Sequence, residues 1–455
     1  MFSSASFRQY LVASIGGLSL FVSGTSYTWA TPLLPYLKKN DSEFHLTADE
    51  GSWVISLIEI GNLLPCIPAG LIADKFGRKP CLLYTTPFYI LTWLFVLWYR
   101  TVPALYTMRI VQGLAMAVQF TVLPMYLAEI ADSSRRGALG SLFQIMWYLG
   151  FLYEYIFGAF FGYDGLTWFS VGPPIVFMVS FYFCPESPYF LLMKERHEEA
   201  TKTLAWLRGQ SLEEVEPEVK TINQMIVEEK QEEASWRDVV GTAAGRKALL
   251  VILMLGIMYI MSGISTILCY ISEIFGTTSG SQNEGDMATI FVGTAILLTT
   301  CLSTCLVDRL GRRPVVICST AMAAIFLTMT SVYYYIYEKT HIDTSGYTWV
   351  PYTSILFFTT IMSIGIGAIP ALQGELFPNS TRGIASGIYT LVITALSFVC
   401  LKMYQVIGDY YGYYIDYLVF AFFCACTSLY MYIFLPETKG MTFVEIQKIL
   451  QGDKR

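Results

Sequence analysis

The sequence predicts an all-α membrane protein with twelve transmembrane helices in two related halves, joined by a helical segment. Three observations predict this fold class: an apolar composition, twelve apolar segments of spanning length, and a set of motifs that occurs twice. Hydrophobic residues make up 54 % of the 455 residues and charged residues 14 %, and the mean hydropathy is +0.51. A soluble domain cannot bury that much apolar surface, so lipid is the solvent for most of the chain.

Each apolar segment is long enough to cross a hydrocarbon core of roughly 30 Å, since a helix rises about 1.5 Å per residue. The first has only Arg8 before it and continues to about Tyr36, which indicates a membrane span rather than a cleavable signal peptide. The segments fall near 11–36, 52–73, 81–99, 103–128, 138–161, 166–184, 248–275, 287–307, 314–336, 350–373, 384–407 and 413–435.

One long polar stretch, about 190–246, separates the sixth segment from the seventh. Glu and Lys recur there at helical spacing, and residues such as Leu204 and Ile222 form apolar stripes. We therefore expect two or three amphipathic helices rather than a disordered linker. The predicted domains are 1–190, a linker at 191–246, and 247–455; we call the first and last of these the first and second repeat.

Basic residues predict the orientation. With the N-terminus in the cytosol, 23 of the 29 lysines and arginines lie on the cytosolic side, and the outer side holds Lys38, Lys39, Arg100 and Lys339. This positive-inside bias predicts a multi-pass plasma-membrane protein with both termini in the cytosol. In that topology the sequon at Asn40 lies outside and is the predicted glycosylation site, whereas the sequon at Asn379 lies inside.

Three motifs of the first repeat return in the second in the same order. The segment 74–80 returns as 308–314, 234 residues later, and 185–187 has a looser counterpart at 436–438. A third set keeps its internal spacing 246 residues on: Pro124, Glu129, Arg136 and Gly137 match Pro370, Glu375, Arg382 and Gly383. Three ordered matches indicate a duplicated half. In membrane proteins with such repeats, a solute path lies at the repeat interface.

The loop motifs also have a direct physical explanation. Gly77 and Gly311 permit a tight turn between adjacent helices, and Pro80 and Pro314 suit the first turn of the helix that follows. The Arg and Lys residues in these loops anchor the cytosolic surface.

These motifs resemble those of the sugar-porter branch of the major facilitator superfamily, and within it the insect trehalose-transporter-like group. The likeness covers nearly the whole chain, and Pro-Glu-Ser-Pro at 185–188 with Pro-Glu-Thr-Lys-Gly at 436–440 carries most of its specificity. The resemblance implies two pseudo-symmetric six-helix bundles that rock about a central site. It also implies a cytosolic gating network of ion pairs, formed by Asp74, Arg78, Glu129, Arg136, Asp308, Arg312, Arg313, Glu375 and Arg382.

The likeness weakens at the substrate site that the family implies. Gln144 matches the family glutamine of span five, but 259–265 in span seven lacks both glutamines and the asparagine of the family motif. We therefore predict a different ligand set, consisting of Gln144, Tyr259, Ser262, Ser265, Tyr270 and Gln373. Three interpretations stay open: a carrier of a sugar of the trehalose or hexose class, a carrier of a polyol or another non-sugar solute, and a sugar sensor that does not transport.

Ionisable groups inside spans are costly and mark function, and four charged residues are candidates on that ground. They are Glu59, Arg109, Glu154 and Lys402. Span one has no acidic residue at the position where proton symporters of the family carry an aspartate, which favours facilitated diffusion. Glu59 and Glu154 are predicted to have hydrogen-bonding or cationic partners, Arg109 being a candidate for Glu154, and proton coupling through either one is the alternative.

The composition argues against other classes of protein. The cysteines lack metal-site spacing with histidine nearby, and no nucleophile motif or phosphate loop is present, so we predict neither an enzyme nor a cofactor. The predicted partners are a small-molecule solute and the lipid bilayer, with no nucleic acid, and the protein is expected to function as a monomer.

Overall fold

The computed structural model describes residues 4–38, 45–66, 68–132, 135–231, 240–241, 243–340, 342–377, 379–437, 439 and 441. In these residues the regular structure is helical, as predicted. The predicted glycosylation site, Asn40, lies outside them, and so do the side chains of five other predicted site residues: Arg136, Asp308, Gln373, Glu375 and Arg382.

All twelve predicted spans are present as helices. The first six are Ser4–Thr28 with Ala30–Leu37, Ala48–Leu63 with Pro68–Phe76, Arg78–Trp98, Val102–Ile130, Arg136–Phe160 and Tyr163–Tyr182. The last six are Ala243–Met261 with Ile264–Ser279, Gln282–Leu310, Arg312–Lys339, Trp349–Ile366 with Ile369–Leu376, Asn379–Tyr411 and Tyr413–Phe434. We number them span one to span twelve.

Length and composition alone identify ten spans in the described residues, or eleven if the two helices of span two, bent by 57°, count as one. Span five is less apolar, because it contains Gln144, Glu154 and several tyrosines, yet its 25 residues extend roughly 37 Å.

Four spans consist of two helices each, and the breaks follow from the sequence. Span seven breaks at Ser262 and Gly263, where Gly263 adopts a left-handed conformation with φ of +77°. Span ten breaks at Gly367, and Pro370 lies in the first turn of its second helix. Broken spans expose backbone polar groups at membrane depth, which is tolerated where they line a cavity or are buried in protein.

The chain divides into two compact units, which are described separately. The first consists of Met1–Trp29, Ile60–Phe157 and Phe161–Glu233, and the second of Ala30–Glu59, Gly158–Phe160 and Ala234–Arg455. The second unit therefore contains the second repeat together with the predicted outer ends of spans one and two. The domain boundaries proposed from the sequence stay a prediction.

In the first unit, buried polar side chains join spans one and four. Ser26 donates to Gln112 at 2.6 Å, and the fully buried Arg109 donates to the carbonyl oxygens of Ser26 and Tyr27. These two carbonyls belong to the last turn of Ser4–Thr28, where intrahelical partners are missing. Arg109 therefore stabilises the break in span one.

The linker of the first unit is helical, with helices at Pro188–Met193, His197–Arg208 and Leu212–Gln231. Leu191, Leu204 and Val215 form its apolar core. Arg208 fixes this layer beneath span four, because its guanidinium donates to the Ile130 carbonyl at 3.0 Å and pairs with Glu218 at 2.8 Å.

In the second unit, span nine packs between spans ten and twelve. Ser331 donates to the Tyr414 carbonyl at 2.7 Å, and the rings of Tyr334 and Tyr417 stack with their centroids 5.2 Å apart. Thr330 and Ser354 share a hydrogen bond of 2.7 Å on the other side of span nine. These contacts hold the outer part of the second repeat together.

Candidate functional site

In the first unit, the carboxylate of Glu186 binds the turn of the duplicated loop motif. Gly77 has a φ of +108°, and a β-carbon there would collide with the Glu186 carboxylate. Glu186 accepts the backbone N–H of Lys79 at 3.1 Å, in the first turn of span three, and the Lys79 ammonium donates to the Tyr182 carbonyl at 2.7 Å. A helix N-terminus favours a carboxylate. Burial raises the pKa of Glu186, and the backbone N–H donors of Ser187 and Lys79 oppose that shift.

The second unit repeats this arrangement with its own residues. Gly311 has a φ of +95°, and a β-carbon there would meet the Glu437 carboxylate. Glu437 accepts the backbone N–H groups of Arg312 and Arg313, each at 3.2 Å, and Arg313 donates to the Tyr432 carbonyl at 2.6 Å. The sequence repeat is thus also a repeat of contacts, which is strong evidence for a duplicated half.

Three of the residues predicted for the gating network pair with one another in the first unit, and their gating role stays a prediction. Arg78 is 2 % exposed and lies 2.9 Å from Glu129 and 3.1 Å from Asp74. Its Nε also donates to both Glu129 oxygens at 3.1 Å, and Ser187 donates to the same carboxylate. The network therefore brings together the loop motif, span four and the Pro-Glu-Ser segment, three of the motifs that the sequence singled out.

Three of the predicted solute ligands lie around the break in span seven. Ser262 donates to the Tyr259 carbonyl at 2.6 Å, and the Ser265 side chain lies near the Tyr259 hydroxyl. A small cavity of about 20 Å³ lies beside Tyr259 and the span-nine residues Ser319 and Thr320. That volume holds about one water molecule.

The other predicted ligands lie apart from this group. Tyr270 is 1 % exposed, its hydroxyl donates to the Leu401 carbonyl at 3.2 Å, and its ring packs 4.8 Å from Tyr404. Tyr270 thus joins span seven to span eleven. Gln144 is half-buried in span five of the first unit, and Gln373 lies in Ile369–Leu376 of span ten. The structure groups Tyr259, Ser262 and Ser265 and leaves the set of six a prediction.

The two carboxylates that the sequence singled out inside spans, Glu59 and Glu154, each have a serine partner. Ser170 donates to Glu154 at 2.9 Å, and Arg109 interacts electrostatically with the same carboxylate. Ser397 donates to Glu59 at 2.7 Å. Both serines lie on a neighbouring span, so the carboxylates join helices: span five to span six, and span two to span eleven.

Sequence reasoning missed a group of charged residues in the second unit. Lys38 pairs with Glu273 at 2.7 Å, and Lys402 pairs with Asp49 at 2.5 Å. The two residues of the first pair are 235 positions apart in the sequence, and those of the second pair are 353 apart. A local sequence pattern therefore could not predict either pair. The one signal was that Lys402 lies in an apolar segment and requires an anion. We call Lys38, Asp49, Glu273 and Lys402 the outer charge cluster.

Comparison with known proteins gives a consistent result. A family model described as sugar (and other) transporter matches residues 10–450. The facilitated trehalose transporter Tret1 of Anopheles gambiae is 29 % identical over 451 residues, which are 98 % of this chain and 56 % of that protein. The protein of the same name from Culex quinquefasciatus is 28 % identical over 457 residues, or 100 % of this chain and 88 % of that one. The chain thus spans little more than half of the Anopheles relative.

The fold is that of a solved transporter. The xylose transporter XylE from E. coli, in a partially occluded inward open conformation, matches with a TM-score of 0.79 and 22 % identity. The match covers 97 % of this chain and 100 % of that one. The predicted twelve-helix fold of the major facilitator superfamily is therefore confirmed.

Proposed function

This chain belongs to the sugar (and other) transporter family, and we propose that it is a membrane carrier for a sugar of the trehalose or hexose class, working by facilitated diffusion. The observation that carries the proposal is the contact repeat, in which Glu186 caps the turn at Gly77 and Glu437 caps the turn at Gly311. Two equivalent halves are what alternating access requires, because one half must move as a body against the other.

The break in span seven is the part of the second unit best suited to contact the solute. Discontinuous helices of transporters place free backbone groups and side chains at the membrane midplane. Here the Tyr259 and Ser265 side chains lie near each other, so their two hydroxyl groups can together bind one solute hydroxyl that has lost its hydrogen bonds to water.

Facilitated diffusion is proposed rather than proton coupling. Glu59 and Glu154 each accept a serine hydroxyl on a neighbouring span, an arrangement that suits a structural join between helices. Proton coupling through either residue remains the alternative that the experiment must test. We further propose that the protein functions as a monomer in the plasma membrane, with both termini in the cytosol, and that it catalyses no reaction.

A second candidate is a polyol or another solute with fewer hydroxyl groups than a sugar. The group at the break in span seven supports this candidate, because it offers the hydroxyls of Tyr259, Ser262 and Ser265 but no amide. A sugar that loses many hydrogen bonds to water needs a fixed partner for each hydroxyl group.

The test is counterflow in proteoliposomes that contain the purified full-length chain. Vesicles loaded with unlabelled trehalose, hexose, polyol or organic acid are diluted into labelled solute, with and without a pH gradient. Saturable counterflow of trehalose or a hexose, unchanged by the gradient, is expected. Counterflow of the polyol alone supports the second candidate. Solute binding without counterflow overturns the carrier proposal in favour of a sensor.

A further inference from the structure

The outer charge cluster joins the two repeats within the second unit. Lys38 follows span one and Asp49 begins span two, so both belong to the first repeat. Glu273 lies on the second helix of span seven and Lys402 on span eleven, so both belong to the second repeat. Each ion pair therefore connects one repeat with the other, at the ends of the spans that the sequence predicts to face outside.

The first pair is part of a wider set of contacts. The Lys38 ammonium donates to Glu273 at 2.7 Å and to the Gln405 amide oxygen at 3.1 Å. Gln405 in turn donates to Asp409 at 2.8 Å and to the Tyr413 hydroxyl at 3.1 Å. One lysine of the first repeat is thus held by spans seven and eleven of the second.

The second pair has the opposite polarity. The Lys402 ammonium donates to the Asp49 carboxylate at 2.5 Å and to the Ser52 hydroxyl at 2.7 Å, and it lies 4.4 Å from the centre of the Trp53 ring. The first repeat supplies the cation of one pair and the anion of the other. This reversal fixes the register of the repeats, because a displaced pairing would bring like charges together.

We propose that the outer charge cluster is an electrostatic latch that holds the outer end of the transport path closed and must open before solute enters from outside. The inference rests on the proposed carrier function, since a latch needs a cycle in which it opens. The occluding contact below it is the Glu59–Ser397 hydrogen bond of 2.7 Å, which also joins span two to span eleven.

The solvation of the cluster fits a latch that opens reversibly. The side chains of Lys38 and Glu273 are 16 % and 20 % exposed, and Asp49 is 70 % exposed. A cavity of about 320 Å³, lined by Lys38, Glu273 and Gln282 among others, adjoins the first pair. Water can therefore reach the charges when a pair separates, and partly solvated ion pairs are weak enough to break. A fully buried pair would resist opening far more strongly.

A single engineered cysteine can report the state of the latch. Ser56 is 0 % exposed and lies on span two, one turn from Ser52 and close to one turn from Glu59. Because those two residues contact span eleven, Ser56→Cys lies on the face of span two that opening would uncover. The readout is the rate at which a membrane-impermeant thiol reagent labels this cysteine from outside in the full-length protein. Labelling of the protein that keeps Ser56 is subtracted as background.

The expected result is faster labelling when either pair is broken. Lys38→Met and Lys402→Met should each raise the rate about two- to fivefold, and the double variant more. Exchanging the charges of one pair, with Asp49→Lys and Lys402→Asp together, should return the rate toward that of the unmodified pair. The matched control is Arg100→Met, which breaks the outer ion pair with Asp164 at 2.7 Å between residues that both belong to the first repeat.

The outcomes separate the latch from the carrier proposal. Unchanged labelling in both lysine variants, an equal increase in Arg100→Met, or no recovery in the charge exchange would overturn the latch. Faster labelling together with a wild-type protein that shows no counterflow would retain the latch and overturn the carrier. Melting temperatures of the full-length variants guard against a folding defect, since faster labelling at an unchanged melting temperature cannot come from unfolding.

Discussion

The carboxylate of Glu186 occupies the space that a side chain on Gly77 would need. The same relationship holds in the second unit between Glu437 and Gly311. Both glycines also have a φ near +100°, a conformation that other residues rarely adopt. Two independent reasons, backbone conformation and space, therefore require glycine at each position.

Gly77→Ala and Gly311→Ala should each lower the free energy of unfolding by about 1–3 kcal/mol, because they combine backbone strain with displacement of a buried carboxylate. The measurement is thermal unfolding of the detergent-solubilised protein. Gly140→Ala is the matched control, since a β-carbon at Gly140 would meet no atom within 4 Å and the φ of this residue is not positive. Equal stability of Gly77→Ala and Gly140→Ala would contradict the argument.

Removing one member of the Arg78–Glu129 pair should be strongly destabilising. Glu129→Gln leaves the buried Arg78 guanidinium with Asp74 as its remaining ion-pair partner, and Asp74 is 48 % exposed. We expect a loss of about 3–5 kcal/mol in the free energy of unfolding. Glu199→Gln, which breaks the exposed pair with Arg196, is the control and should change the free energy by less than about 1 kcal/mol. A similar shift in melting temperature for both variants would refute a special role for the buried pair.

The spans could be predicted from the sequence because each is a local property: about twenty apolar residues must lie in lipid wherever they fall. The turns at Gly77 and Gly311 were likewise predicted, since glycine acts on its own backbone. The break at Gly263 was not predicted, because 248–275 is one continuous apolar segment in the sequence. The contacts of Lys38 and Asp49 could not be predicted, because their partners lie hundreds of residues away. The contact of Tyr270 could not be predicted for the same reason. Its residue type suited a ligand, but its hydroxyl bonds to the Leu401 carbonyl.

Glu59→Gln and Glu154→Gln should leave counterflow independent of a pH gradient, as in the unmodified protein. Both carboxylates accept a serine hydroxyl, and a glutamine amide oxygen can accept the same bond. The measurement is solute accumulation in proteoliposomes with an inward proton gradient. Ser397→Ala and Ser170→Ala are the matching variants, because they remove the hydroxyl donor of each hydrogen bond and keep the carboxylate. Gradient-driven accumulation that disappears in one glutamate variant would establish coupling through that residue.

Tyr259→Phe should weaken solute binding, whereas Tyr270→Phe should not. The Tyr259 hydroxyl lies near Ser265 at the break in span seven, where we propose that it binds a solute hydroxyl. The Tyr270 hydroxyl bonds to the backbone of span eleven, so its loss should lower thermal stability and leave recognition intact. One hydrogen bond contributes roughly 1 kcal/mol, which corresponds to an increase of about fivefold in the KM for counterflow of Tyr259→Phe. Ser265→Ala should raise KM in the same direction. If KM instead rises in Tyr270→Phe and stays constant in Tyr259→Phe, the solute contacts the span-seven helix one or more turns beyond the break.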